Sequence, residues 1–248
     1  MDAQQTKIYT AILITAFVIG IILIYFIISL IQQQRKNSRL FKEKIRAEIT
    51  TLENERSRVS ADLHDDLGPL LFSVKFKLSG LETAAEDKQS LDDATTYIDD
   101  IIQRIRDISN DLMPGTLIRK GPLFAIEEYI DGLSKNENLK IDFTHTDIPE
   151  LDKAKAINIY RLIMEIIHNT LKHAKASFLE IDFRKQADQL VLTTQDNGVG
   201  FDYDAMKMNK GGLGLRSMLN RAEVMEGDMY VESAPGKGTK YIIEIPLT

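Results

Sequence analysis

Cysteine is absent from the 248-residue sequence. That excludes disulfides, thiolate metal sites and a thiol nucleophile. An excess of basic charge is missing too: 31 Lys and Arg stand against 37 Asp and Glu, a net charge of −6. Nucleic-acid binders show a basic footprint, so no direct nucleic-acid contact is expected. No GxxxxGK[ST] run occurs and no GxGxxG follows a strand pattern, which excludes a P-loop and a Rossmann fingerprint. What remains is the composition of an ordinary folded protein, 44% hydrophobic and 27% charged, with room for one or two domains.

One long apolar run is present. Residues 8–31, IYTAILITAFVIGIILIYFIISLI, carry no charge and no proline. These roughly 24 residues exceed the roughly 20 needed to cross a hydrocarbon core, and the about 7–15 of a signal-peptide core. Arg35, Lys36, Arg39, Lys42, Lys44 and Arg46 follow the run, whereas only Lys7 and the amino terminus precede it. The positive-inside bias predicts a single-pass anchor with the carboxyl-terminal bulk in the cytoplasm. The few residues before the run are too short to fold, so no outer sensor domain is expected in this chain.

After the span, Leu40, Ile45, Ile49, Leu52, Val59, Leu63, Leu67, Leu70, Val74 and Leu78 recur at helical spacing. Residues 32–54 read as a juxtamembrane helix. A break at TAAEDKQ separates this pattern from a second one, Leu91 to Leu112, which stops at Met113-Pro114-Gly115. A hairpin with two apolar stripes cannot bury both alone, which predicts a dimeric four-helix bundle over 55–114. The rival is a monomeric hairpin covered by the downstream domain. From Gly121 a helix pattern, strand-like LKIDFTH, a long helix over 152–172, strands FLEIDFRK and QLVLTTQD, a Gly-rich loop, a helix, and strands DMYVES and KYIIEIPL follow. The fold class is α+β: an apolar helix, a helical hairpin, and an α/β sandwich over 121–248.

Two Gly-rich stretches stand close together, DNGVGFD at 196–202 and KGGLGLRS at 210–217. Gly198 and Gly200 allow positive φ and close approach to a ligand. Gly211, Gly212 and Gly214 feed a helix start, where free N–H groups favour phosphate. Either stretch alone also fits a tight turn. In EIIHNTLKHA, Glu165, Asn169 and His173 fall at i, i+4 and i+8 on one ridge, with Lys172 beside it. A carboxylate and an amide oxygen are hard ligands suited to Mg²⁺; a solvated polar face is the alternative. His168 faces elsewhere and reads as a packing residue.

EIIHNTLKHA resembles the N box, DNGVGF the G1 box and GGLGLRSM the G2 box of the gyrase–Hsp90–histidine kinase–MutL ATPases. ERSRVSADLHDDLG, residues 55–68, resembles the phosphoacceptor box of sensor histidine kinases that signal to NarL/LuxR-type response regulators. The resemblance spans roughly 50–248 and implies a dimerisation and phosphotransfer bundle followed by a Bergerat-type ATP-binding domain. By resemblance, Asn169 coordinates Mg²⁺ with Glu165 acting through water, and Lys172 and His173 lie near the phosphates. Asp196 accepts from the adenine amino group, with Thr239 nearby through water. Gly198, Gly200, Gly212 and Gly214 shape the pocket and its lid, where Lys207 and Lys210 reach toward the triphosphate. His64 takes the γ-phosphoryl group, and Asp65 orients the ring and takes its proton.

Residues at ±3 and ±4 crowd a helical side chain; around His64 these are Ser60, Ala61, Leu67 and Gly68, three of them small. Asp65, at i+1, points about 100° away on a regular helix, so its contact with His64 needs a favourable rotamer or a distortion. Pro69 supplies one, because a helical proline removes the bond to residue i−4, here Asp65. Adjacent helical residues diverge and no second histidine lies at i+4, which weighs against a metal site at His64-Asp65-Asp66. Apolar periodicity resumes after Pro69, which weighs against a helix end. In members with strong phosphatase activity a glutamine stands five positions after the histidine; here it is Pro69. The resemblance therefore implies a homodimeric, bacterial inner-membrane histidine kinase that uses ATP and Mg²⁺. Its partners would be membrane lipid and a separate response regulator with receiver and helix-turn-helix domains. A non-catalytic scaffold that sequesters a regulator and an anti-sigma-type serine kinase are the rivals.

Overall fold

The computed structural model describes residues 3–80, 88–133, 139–208 and 212–247. They form two compact units, Met1–Ala47 and Glu48–Thr248. The first is a stretch of α1 (Ala3–Asp62), which contains the apolar run. Among the described residues this is the one helix long and apolar enough to cross a membrane.

The second unit begins with the end of α1, where Arg58 bridges Glu55 at 2.5 Å and Asp62 at 3.1 Å, one turn either way. A π-helical turn, Leu63–Leu67, then leads into α2 (Gly68–Ser79). Helix α3 (Lys88–Leu112) runs back along them. The predicted break lies largely at residues 81–87, outside the described residues. Buried Ser60 and Ser109 exchange hydroxyl and carbonyl hydrogen bonds, Lys75 reaches Asp99 Oδ1 at 2.5 Å, and Arg106 lies over the Phe72 ring. Ser60 is therefore tied into the hairpin.

Short helix α4 (Gly115–Lys120) and α5 (Pro122–Leu133) connect to the sheet domain. Helix α4 was not expected, because six residues are too few to show a helical period. The rest is β1 (Lys140–His145), α6 (Lys153–Asn169), a second π-helical turn at Thr170–Ala174, β2 (Phe178–Gln186), β3 (Gln189–Asp196), α7 (Tyr203–Met208), α8 (Leu213–Val224), β4 (Asp228–Ser233) and β5 (Thr239–Pro246). Asp152 caps α6 by accepting from Lys155 N at 2.8 Å. The sheet runs β1-β2-β3-β5-β4, parallel between β1 and β2 and antiparallel elsewhere.

Alternation decides the sheet's inner face. Leu179, Ile181 and Phe183 of β2, Leu190 and Leu192 of β3, and Tyr241, Ile243 and Ile245 of β5 are buried against Ile159, Leu162, Ile163, Ile166 and Ile167 of α6 and Met218 of α8. The result is a two-layer α/β sandwich whose inner strands point Asp196 and Thr239 into the helical layer.

Candidate functional site

The first candidate site is the π-helical turn. His64 Nδ1 lies 2.9 Å from Asp65 Oδ1, and the side chains are 76% and 74% exposed. A π turn closes from i to i+5 and so holds an extra residue. It forms where Pro69 denies the Asp65 carbonyl its i+4 donor. The turn brings neighbours together that a regular helix holds apart, as the sequence required of any His64–Asp65 contact. A Cβ at Gly68 would meet nothing within 4 Å, so the space beside the turn is open. His64 and Asp65 line a cavity of about 750 Å³ with Thr116, Arg119, Glu128, Tyr129 and Tyr160.

The second candidate site is a cavity of about 620 Å³ between α6, α8 and the ends of the inner strands β3 and β5. Glu165, Asn169, Lys172, His173, Asp196, Gly200, Gly212, Gly214 and Thr239 all line it. Lys210 and Gly211 lie outside the described residues, as does the Lys207 side chain. Helix α6 ends at Asn169 and the π turn follows, so the expected regular ridge through His173 stops there. The wider turn faces both Lys172 and His173 to the cavity.

Asn169 Nδ2 donates to Glu165 Oε1 at 3.2 Å, which turns the amide oxygen away from Glu165. A Cβ on Gly214 would run into that same Oε1 and approach Asn169 Nδ2 at 3.4 Å. The bare α-carbon therefore makes room for an oxygen pair of the hard type that Mg²⁺ takes. No three His, Cys, Asp or Glu side chains converge among the described residues, so a divalent ion here would draw most of its ligands from phosphate and water.

Asp196 is buried, and its Oδ1 accepts from Gly198 N at 2.8 Å. Burial pushes its carboxyl pKa up from 3.8, opposed by the backbone N–H groups of Gly198 and Thr239. Stability tied to a raised carboxyl pKa is present below 3.8 and is lost as pH rises through the raised value. Asp196→Asn, which cannot ionise, is therefore expected to remove that decline and to resist urea better at neutral pH, while losing nucleotide affinity. Urea midpoints across the acid range and a nucleotide titration check both halves.

The loop after Asp196 is held by backbone. Val199 N donates to Ala174 O at 2.8 Å, Gly236 N to Val199 O at 2.6 Å, and Phe201 N to Ser233 Oγ at 2.9 Å. Gly200 has φ +59, and a Cβ there would strike Ala234 O. Gly198 does not line the cavity; it packs against Ala174, with a Cβ falling 2.7 Å from the alanine methyl. Gly212 lines the cavity, but a Cβ there would meet nothing. The Thr239 hydroxyl is shared with Ser233 Oγ at 3.0 Å.

Several cavity residues were missed. Phe201, Met206, Leu215 and Met218 supply an apolar lining, and Tyr241 a buried hydroxyl that burial pushes up to about 12, with Asp196 and Glu165 adding to the rise. Alternation in β5 signalled the side of Tyr241 but not its neighbours. His168 Nε2 meets Tyr129 OH at 2.9 Å while the residue also lines the cavity, so packing is only part of its role. Burial pushes its imidazole pKa down, with Lys172 adding to the effect.

Residues 55–117 match the family described as histidine kinase. Residues 154–248 match the family described as histidine kinase-, DNA gyrase B-, and HSP90-like ATPase. The chain is similar to the oxygen sensor histidine kinase NreB of Staphylococcus carnosus, 29% identical over 222 residues, covering 87% of this chain and 63% of the relative. It is likewise similar to the signal transduction histidine-protein kinase/phosphatase DegS of Brevibacillus brevis, 29% identical over 208 residues, covering 81% and 53%. It thus spans less than two thirds of either relative's length. Among solved structures, the histidine kinase domain of the Erythrobacter litoralis EL346 blue-light activated histidine kinase is similar at a TM-score of 0.47 and 20% identity, covering 79% of this chain and 94% of that one.

Proposed function

This chain belongs to the histidine kinase family, and from that premise we propose that it is a membrane-anchored sensor kinase that autophosphorylates on His64 and passes the phosphoryl group to a separate response regulator. One observation carries the reading: an exposed imidazole paired with a carboxylate, in the same chain as a cavity lined by every described residue predicted to hold nucleotide except Gly198. With Nδ1–H donated to Asp65, Nε2 presents a lone pair to the γ-phosphorus of ATP. The Nε2–P bond forms, the bond between γ-phosphorus and the bridging oxygen breaks, and ADP leaves with that oxygen; the Nδ1 proton is left to Asp65. Lys172 and His173 lie on the phosphate side, and Asp196 on the adenine side. Bound Mg²⁺ would be held by Asn169 and, through water, Glu165, and would neutralise phosphate charge.

The receiving partner is a NarL/LuxR-type regulator with receiver and helix-turn-helix domains, to whose aspartate the phosphoryl group moves. With Pro69 where a phosphatase glutamine would stand, transfer is favoured over dephosphorylation. Leu67, Leu70, Val74, Ile101 and Ile108 are exposed on the hairpin; a second copy of the chain would cover them in a four-helix bundle. The apolar run of α1 anchors the chain once in the bacterial inner membrane, with domains at 55–114 and 121–248 in the cytoplasm.

The test is to incubate the full chain in lipid nanodiscs with γ-labelled ATP. Acid-labile label is expected on the wild type and none on His64→Gln. Acid-stable label would favour a serine kinase and the absence of label a scaffold, and either result would end this reading.

A further inference from the structure

Outside both cavities lies a buried ionic cluster. Glu53 sits on α1, eleven residues before His64. Its carboxylate accepts from Arg161 Nε at 3.1 Å and from Arg221 Nη2 at 2.7 Å, and Arg56 Nη1 approaches at 3.6 Å. Glu53, Arg161 and Arg221 are 6%, 10% and 7% exposed. Arg161 also donates to the carbonyls of Asp111 and Leu112 at the end of α3, and Arg221 Nη1 donates to Asn158 Oδ1 at 2.8 Å.

One carboxylate on α1 therefore answers three guanidinium groups, two of them nearly removed from water and both from the sheet domain. Like charges at low dielectric are tolerated only while their counter-charge stays in place. Without Glu53, the two guanidinium groups regain hydration only if α6 and α8 part from α1. The grip falls on the helices that build the nucleotide cavity: Arg161 is four residues before Glu165 on α6, and α8 begins just after Gly212.

In the position so held the two sites open into different cavities, whose walls meet at the Tyr129 OH–His168 Nε2 hydrogen bond. The His64 cavity and the nucleotide cavity share no lining residue. Sharing the cavity with His64 are Ala125, Glu128 and Tyr129 of α5 and Tyr160 of α6, not the box residues.

We propose that Glu53 is a positioning residue of the kinase reaction: with Arg161 and Arg221 it latches the nucleotide domain to α1 in a resting position, and His64 is phosphorylated only after this latch opens. A rotation or shift of α1 that withdraws Glu53 would be the opening signal. The proposal rests on the kinase reading above, but its physical core, docking through Glu53, is measurable apart from the chemistry.

The cysteine-free full chain, in nanodiscs, accepts spin labels at Thr51→Cys and Glu180→Cys alone. In Glu53→Gln the distance between the labels is expected to lengthen and broaden, and the initial autophosphorylation rate to rise at least about ten-fold. Such a rise corresponds to about 1.4 kcal/mol in the docking equilibrium. Affinity for a non-hydrolysable ATP analogue should not change, which a merely structural role would not spare. Glu53→Asp, a milder change, should fall between the two. An unchanged distance, an unchanged or slower rate in an active kinase, or loss of analogue binding in both variants would overturn the latch. If the wild type proves inactive, the kinase reading falls while the label distances still decide the latch.

Discussion

Asparagine in place of Asp65 is expected to slow the labelling of His64 by about 100-fold or more, the usual scale of lost general acid–base assistance. Affinity for an ATP analogue should stay unchanged, since Asp65 lies outside the nucleotide cavity. Asn keeps the shape of the side chain and an oxygen that can face Nδ1, but not the charge that draws off the Nδ1 proton as Nε2 attacks. The contact exists because the backbone is π-helical at Leu63–Leu67. Pro69→Ala returns an N–H to the turn and removes a residue about 3 kcal/mol worse than Ala in a helix interior. That variant is expected to be more stable and yet slower to label, because a regular turn swings Asp65 away. Single-turnover labelling and thermal midpoints measure the two effects together. A Pro69→Ala chain that labels as fast as the wild type would show that the turn does not set the pair.

Alanine at Gly214 and alanine at Gly200 are expected to fail in opposite ways. At Gly214 the new methyl group meets Glu165 Oε1, the far end of a flexible side chain, and then Asn169 Nδ2 at 3.4 Å. The carboxylate can swing aside at small cost in stability, but it carries the Asn169 amide with it. Disturbing the partner of a metal ligand commonly costs 10–100-fold in affinity, so Mg²⁺-dependent ATP affinity should fall by about that factor with the urea midpoint almost unmoved. At Gly200 the methyl group meets the Ala234 carbonyl at a φ of +59, and neither obstacle can rotate away. That variant should lose about 1–3 kcal/mol of stability because the loop pinned by Val199, Phe201 and Ser233 must shift. Calorimetric titration with Mg·ATP and urea unfolding separate the two. Equal loss of stability in both variants would remove the role assigned to the Glu165–Asn169 pair.

Local pattern made much of this molecule legible. Strand β3 spans the predicted QLVLTTQD and β4 the predicted DMYVES because short runs rich in apolar, aromatic and β-branched residues, bounded by turn residues, have few other readings. Length was harder. Six-residue α4 and α7 escaped because they are shorter than two helical turns, and α6 was expected to run to Lys172 although it ends at Asn169. Widening of a turn by one residue leaves almost no trace in hydrophobic spacing. Pro69 betrayed the first π turn; nothing comparable marks Thr170–Ala174.

By itself the sequence determined the chemistry available: no thiol, a histidine beside a carboxylate above Gly-Pro, and two glycine boxes downstream of a helix that carries Glu165 and Asn169. Those are properties of residue type and short spacing, which the chain holds whether or not it is folded. Tertiary structure alone decided what Asp196 and Thr239, 43 positions apart in the sequence, make together, and that Tyr241 joins them. It alone also set Glu53 against Arg161 and Arg221, 108 and 168 positions away. A glutamate with an arginine three residues on reads as a solvated helix face, because charge in water is cheap and carries no long-range address. Only burial makes such a charge choose its partners.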